Sequence, residues 1–252
     1  MKVGLVLSGG GARGIAHLGM IKALEEWGVR FESISGTSVG AILGALYANG
    51  MTPDEILEVI LQANIYRSLR PAWTLKGLLR PDSLRGLLDR HVAHNNFSSL
   101  KLKLIVVATD LESGKARYFS TGELIPALLA SCCVPGMFNP IQIDGRTYVD
   151  GGIVDNLPAK ILRSDCDFII GLHCNPIVEV PTVSSLKSVI ERTLLLAING
   201  NAGPSKALCD VVIEPPELGR VSTFEVAKAR QLLDIGYKFT KQHFTPQDFQ
   251  RT

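Results

Sequence analysis

The sequence carries no surplus of charge of either sign. Its 26 Lys and Arg against 24 Asp and Glu leave a formal net charge of +2, which gives no chain-wide case for binding nucleic acid. Cysteine is sparse and odd in number. Cys132, Cys133, Cys166, Cys174 and Cys209 in a chain of 252 residues suit reduced thiols, not a disulfide framework. No secretory signal is expected, because the apolar start Val3–Leu7 is short and Gly9–Gly11 follow at once. Myristoylation and prenylation patterns are also missing from the two ends. One uncharged run, Ser33–Pro53, has the length of a membrane span. Its front holds Ser33, Ser35, Thr37 and Ser38, and Gly36 and Gly40 interrupt it. It reads instead as strand end, turn and buried helix. Repeats and low-complexity linkers are absent. The expected location is the cytoplasm, at most peripheral at the inner face of the membrane.

Hydrophobic residues make up 46% and charged residues 20% of the chain. That is a globular balance, with length enough to bury a core in a single domain spanning 1–252. Short β-rich runs at Lys2–Leu7, Val29–Ser35, Leu102–Ala108, Arg117–Phe119, Arg146–Val149, Phe168–Leu172 and Val211–Ile213 predict strands. Helical patterns fall at Ile15–Trp27, Ala41–Ala48, from Thr52 onward, Glu123–Ala130, Leu186–Ile198 and Phe224–Tyr237. The alternation predicts an α/β fold with a largely parallel sheet.

Two glycine patterns carry the chemistry. Gly9, Gly11 and Gly14 read G-x-G-x-x-G after the first strand. This spacing suits a dinucleotide fold, with Glu32 as the acid that would bind ribose. It equally suits any loop whose bare amides converge on an anion. Gly36-Thr37-Ser38-Val39-Gly40 reads G-x-S-x-G between a strand and a helix. That is the context of a nucleophile elbow, with a helix N-terminus behind Ser38 to favour developing negative charge. The glycine loop would then serve as an oxyanion hole. The base is harder to find. His17, His91, His94, His173 and His243 lie in no catalytic motif. Asp150, in "YVDGGIVDNLP", has an exposed strand-end position, yet Asp-Gly-Gly also reads as a plain turn. On these residues alone a serine hydrolase and an NAD-binding oxidoreductase both stay open.

Taken together, the pieces resemble the patatin-like phospholipase family. Four blocks occur in order: "GGGARG" at Gly9–Gly14, "GTSVG" at Gly36–Gly40, "ASCCVPGMFNP" at Ala130–Pro140 and "DGG" at Asp150–Gly152. Asn139 stands where the family often has Pro. The resemblance covers Lys2–Pro158 and extends to about Pro215, with a C-terminal helical segment beyond it. It implies a three-layer α/β fold and a Ser-Asp dyad without histidine. Ser38 would be the nucleophile and Asp150 the base. The Gly10 and Gly11 amides would hold the oxyanion, in a loop shaped by Gly9, Arg13 and Gly14, and Gly36 and Gly40 would support the elbow. It also implies a lipid ester substrate, no cofactor and no metal. Acyl transfer to an alcohol, or a lipid-binding role without catalysis, would fit the same pattern.

Ile65–His91 mixes apolar residues with Arg67, Arg70, Lys76, Arg80, Arg85 and Arg90. It suits a lid or lipid-docking segment, or a pair of helices with a solvated basic face. Cys132 and Cys133 read as small buried residues, Asp110 as a strand-end carboxylate, and Asp155 and Asn156 as cap or turn residues.

Overall fold

A computed structural model of the chain describes residues 1–63, 71–74, 77–79, 82–92, 94–179, 183–223 and 225–250. Ten strands occur among them: β1 (Val3–Leu7), β2 (Ser33–Thr37), β3 (Pro71–Thr74), β4 (Gly77–Leu79), β5 (Lys103–Asp110), β6 (Lys115–Phe119), β7 (Ile141–Ile143), β8 (Arg146–Asp150), β9 (Phe168–Leu172) and β10 (Val211–Ile213). The helices are α1 (Ala16–Glu26), α2 (Val39–Ala48), α3 (Pro53–Ala63), α4 (Asp82–His91), α5 (Leu124–Ser131), α6 (Leu186–Lys206) and α7 (Ala229–His243).

Eight strands form one sheet in the order β10-β9-β1-β2-β5-β8-β7, with β6 also on β5; β3 and β4 pair separately. The run from β10 to β5 is parallel. β6, β7 and β8 add antiparallel pairs. The expected α/β class therefore holds with a mixed, mostly parallel sheet. The parallel strands are apolar on both faces, as a sheet covered on both sides requires. Leu5, Leu7, Ile34, Val106 and Ile170 join the core under α1, α2, α3, α5 and α7. The alternate residues Val6, Ile105 and Ile169 pack on the other face against Leu157, Leu162 and Ala202 of α6. Helices thus flank the sheet in three layers. Each fully buried Leu or Ile of this kind contributes about 1.5–3 kcal/mol.

One detail of the register positions the site. β6 covers one edge of β5 from Val106 to Asp110. β2 and β8 must therefore share the other edge, where Thr37 lies opposite Val107 and Asp150 opposite Ala108. The two strands run in opposite directions and meet end to end at adjacent residues of β5.

Several boundaries differ from the sequence reading; β2, for one, starts at Ser33 and not at Val29. α6 continues eight residues past Ile198, through Gly200, Gly203 and Pro204, to Lys206. The last helix starts at Ala229, because Val226–Lys228 forms a 3-10 turn first. Much of Ile65–His91, including Arg67, Arg70, Lys76 and Arg80 of the lid reading, lies outside the described residues or among those whose side chains are not described. Within α4, Leu87 and Leu88 are buried while Arg85, Asp89 and Arg90 face solvent.

Candidate active site

Ser38 stands between β2 and α2 with φ 54° and ψ −128°. A residue with a side chain in this region costs about 1–3 kcal/mol and persists only where its surroundings hold it. Here they do. The Ser38 N–H donates to Ser131 Oγ at 2.8 Å, and that hydroxyl donates to Val107 O at 2.5 Å. The Ser38 carbonyl accepts from Ala41 and Ile42 N–H in the first turn of α2. The sharp bend thus falls on the serine itself. Gly40 serves close approach: a Cβ there would sit 2.6 Å from Ser8 O.

Asp150 ends β8 and caps the 3-10 turn Gly151–Ile153, its Oδ1 accepting from Gly152 N–H at 2.8 Å. Its own N–H donates to Cys133 O at 2.9 Å, and its carbonyl accepts from Thr109 Oγ1 at 2.9 Å. The Ser38 side chain lies near enough to this carboxyl to draw it down. Only 6% of Asp150 and 9% of Ser38 is exposed. Burial pushes the Asp150 carboxyl up to about 6, against the opposing pull of Ser38 and Gly152. Asp-Gly-Gly does form a turn, and the Asp150 side chain, expected to be exposed, is buried at its start.

The glycine loop leaves β1 beside this pair. Gly9 N–H donates to Asn156 O at 3.3 Å and Ala12 N–H to Thr223 O at 2.7 Å. The Gly10 and Gly11 amides between them meet no protein acceptor among the described residues. Gly11 has φ 57°, a conformation glycine adopts without penalty, and its α-carbon lies against Thr223. Asn175 Nδ2 donates to Gly9 O at 2.5 Å. Arg13 is buried and donates from Nε to Val221 O at 2.6 Å, so it ties the loop to the segment after β10. Gly14 packs against the Val39 side chain. A cavity of about 160 Å³ opens at Ser38 and Gly11, walled by Ile42, Leu46, Ile60, Leu87, Val134 and Phe138. Apolar cavities of about 150 Å³ stay dry and accept hydrocarbon.

The histidines have other occupations. His17 is fully buried, donates from Nε2 to Ser8 O at 3.0 Å, and is pushed by burial down to about 4. His173 Nδ1 bonds Glu214 at 2.8 Å. His91 ends α4, where its carbonyl accepts from Asn49 Nδ2, and His243 bonds Phe239 O. Glu32 fails its assigned part. Its N–H bonds Val3 O, at the start of β1, whereas the glycine loop follows the end of that strand. At about 3.3 Å per residue the two lie roughly 16 Å apart, and the dinucleotide reading loses its ribose acid.

Cys133 is buried and Cys132 lines the cavity beside Ser38; burial pushes both thiols up. Asp110 accepts from Glu112 and Ser113 N–H and pairs with Arg146, a strand-end role. Asp155 accepts from Tyr118 and Thr37. Asn156 is more than a turn residue: its buried side chain lies against Gly9 and Gly152. Ser131, Asn175 and Thr223 were not legible as site residues. Ser131 lies within the Ala130–Pro140 block, which was its only signal; the other two carry none.

The fold and the site define an α/β protein with a serine elbow facing a buried aspartate turn. A family model for patatin-like phospholipases matches residues 5–163, and the chain belongs to that family. It is 38% identical over 178 residues to an uncharacterized NTE family protein of Mycobacterium tuberculosis, covering 69% of this chain and 49% of that protein. The lysophospholipase nte1 of Emericella nidulans is 27% identical, over 96% of this chain and 18% of its own length. VipD of Legionella pneumophila shares the fold, with a TM-score of 0.54 at 18% identity, over 96% of this chain and 66% of that one. The chain spans about half the length, or less, of these curated relatives.

Proposed function

We propose that the chain hydrolyses fatty-acyl esters of phospholipids or lysophospholipids, with Ser38 as nucleophile and Asp150 as general base. The observation that carries this reading is that β2 and β8 end against neighbouring residues of β5 and bring buried Ser38 and Asp150 together, beside an apolar cavity and two amides unpaired among the described residues. The names of the fungal relatives support the lipid class.

Ser38 Oγ attacks the ester carbonyl carbon while its proton passes to Asp150. The Gly10 and Gly11 N–H groups receive the oxyanion, and the α2 N-terminus adds a favourable field. Asp150 then returns the proton to the departing alcohol, leaving an acyl group on Ser38 with its chain in the cavity. Water, deprotonated by Asp150, attacks the acyl-enzyme carbonyl; the bond to Ser38 Oγ breaks, Asp150 returns the proton to that oxygen, and the fatty acid leaves. A free aspartate, near 3.9, is a weak base. Burial raises this one toward working pH, where a general base acts best. Among the described residues no helix is long and apolar enough to cross a membrane. Residues 1–252 are taken as one catalytic domain.

Labelling with a fluorophosphonate, beside hydrolysis of lysophosphatidylcholine, tests the reading. Adduct on Ser38, absent in Ser38→Ala and Asp150→Asn, is the expected result. A folded wild type that neither labels nor hydrolyses would sink it.

A further inference from the structure

We infer that α6 is a clamp for the catalytic loops, with Glu191 and Asn201 as positioning residues. The inference rests on the hydrolase reading above. Both side chains come from one helix, and each grips a different part of the site.

Glu191 holds the oxyanion loop at one remove. Its Oε1 accepts three bonds: from Thr223 Oγ1 at 2.7 Å, Thr223 N–H at 3.0 Å and Ser222 Oγ at 3.3 Å. Thr223 in turn accepts from Ala12 N–H at 2.7 Å and packs on Gly11. The unpaired Gly10 and Gly11 amides therefore take their direction from a peptide that Glu191 fixes. A carboxylate loaded with three donors is a stiff anchor, since charge-assisted hydrogen bonds are about twice as strong as neutral ones.

Asn201 holds the base. Its Nδ2 donates to Gly152 O at 2.8 Å and to Ile153 O at 3.2 Å, and its Oδ1 accepts from Asn156 N–H at 3.0 Å. Gly152 is the residue whose N–H bonds Asp150, and Asn156 O receives Gly9 N–H. One amide side chain thus ties the aspartate turn to the first residue of the glycine loop. Asn199 adds a bond to Asn175 O at 3.1 Å, and Asn175 holds Gly9 O. Oxyanion loop and base reach the sheet on different strands, and α6 is bonded to the segments that hold both.

Misplacing a reacting group by about 1 Å costs on the order of 100-fold in rate, so the clamp should be read in kcat. The experiment compares wild type with Glu191→Leu, Glu191→Gln, Thr223→Val, the double variant Glu191→Leu/Thr223→Val and Asn201→Ala, all as the full chain. It measures kcat and KM on lysophosphatidylcholine, fluorophosphonate labelling rate and Tm. Glu191→Leu and Asn201→Ala should lose kcat and labelling rate by about 100-fold with KM little changed. Glu191→Gln keeps an acceptor oxygen in place and should recover most of the loss. Thr223→Val removes the shortest of the three bonds and should lie between. In the double variant Glu191→Leu/Thr223→Val the two losses should not add, because both substitutions remove the Thr223 Oγ1–Glu191 bond. Loss of Tm with unchanged kcat in the folded variants would reduce α6 to a structural helix and overturn the clamp. If Glu191→Leu fails to fold, a Thr223→Val enzyme at wild-type kcat overturns it equally. A wild type that fails to label would instead remove the hydrolase reading, and the clamp with it.

Discussion

The two halves of the site are built by opposite means. The proposed nucleophile comes from the parallel part of the sheet, through a strand, a single strained residue and a helix. The proposed base comes from the antiparallel part, at the end of β8, through a turn that begins on the Asp150 carboxylate itself. Ser38 is held in place by force: its φ of 54° survives because Ser131 and the first turn of α2 bond its peptide groups. Asp150 is backbone-relaxed, at φ −49° and ψ 130°, and carries its cost in solvation instead. The elbow stores conformational strain and the aspartate turn stores electrostatic strain. They meet because β2 and β8 end against neighbouring residues of β5.

The sharpest way to break this comparison is Asp150→Asn. It should lower kcat by about 10²–10⁴-fold, the usual contribution of a general base, with Ser38 still in place. The same substitution should stabilise the fold at neutral pH. A carboxyl whose folded value is raised from 3.8 to about 6 destabilises the native state when ionised. The sign is that of a raised acid: the group's contribution to stability is whole below about 4 and is lost as pH rises through about 6. A rise of that size corresponds to roughly 3 kcal/mol, so Asp150→Asn should raise Tm at pH 8 and leave it near wild type at pH 4. Thermal melts at the two pH values check this; an equal change at both would mean that the carboxylate is not strained.

Ser131→Ala tests the other half. It leaves the Ser38 N–H buried without an acceptor, at a cost of about 1–3 kcal/mol, and loosens the elbow. Stability and fluorophosphonate labelling should fall together, and a variant that loses stability alone would show that the bend holds without Ser131. The smallest effect is on the pH profile. kcat/KM should fall on the acid side with an apparent value near 6, because Asp150 must be ionised to take the serine proton. A limb near 4 would place the base in a more solvated site than the structure gives it.

What the sequence shows follows the same division. β1, β2 and α2 are local: an apolar run, a glycine and an uncharged helix lie within Val3–Ala48, and their register needs no distant partner. The elbow was therefore legible. The aspartate turn was legible only through family resemblance, because Asp-Gly-Gly turns are common and its partner Ser38 lies 112 positions away. The extent of α6 was hidden for a related reason. Gly200, Gly203 and Pro204 are helix-weakening residues, yet Asn199 and Asn201 bond α6 to segments that are remote in sequence. Thr223, Asn175 and Ser131 each hold the site through a hydrogen bond to a residue 93 to 211 positions away, which leaves no local pattern. Glu32 shows the converse error. It has the right spacing for a ribose acid but falls at the wrong end of its strand.

The bend at Ser38 has an evolutionary consequence. Glycine would adopt φ 54° without penalty, so Ser38→Gly is expected to yield a chain at least as stable as the working one and wholly inert. Stability and activity therefore point to different residues at this position. A lineage released from selection for turnover can drift downhill into a well-folded, silent relative, and the first trace of that drift would be a G-x-G-x-G where G-x-S-x-G had stood.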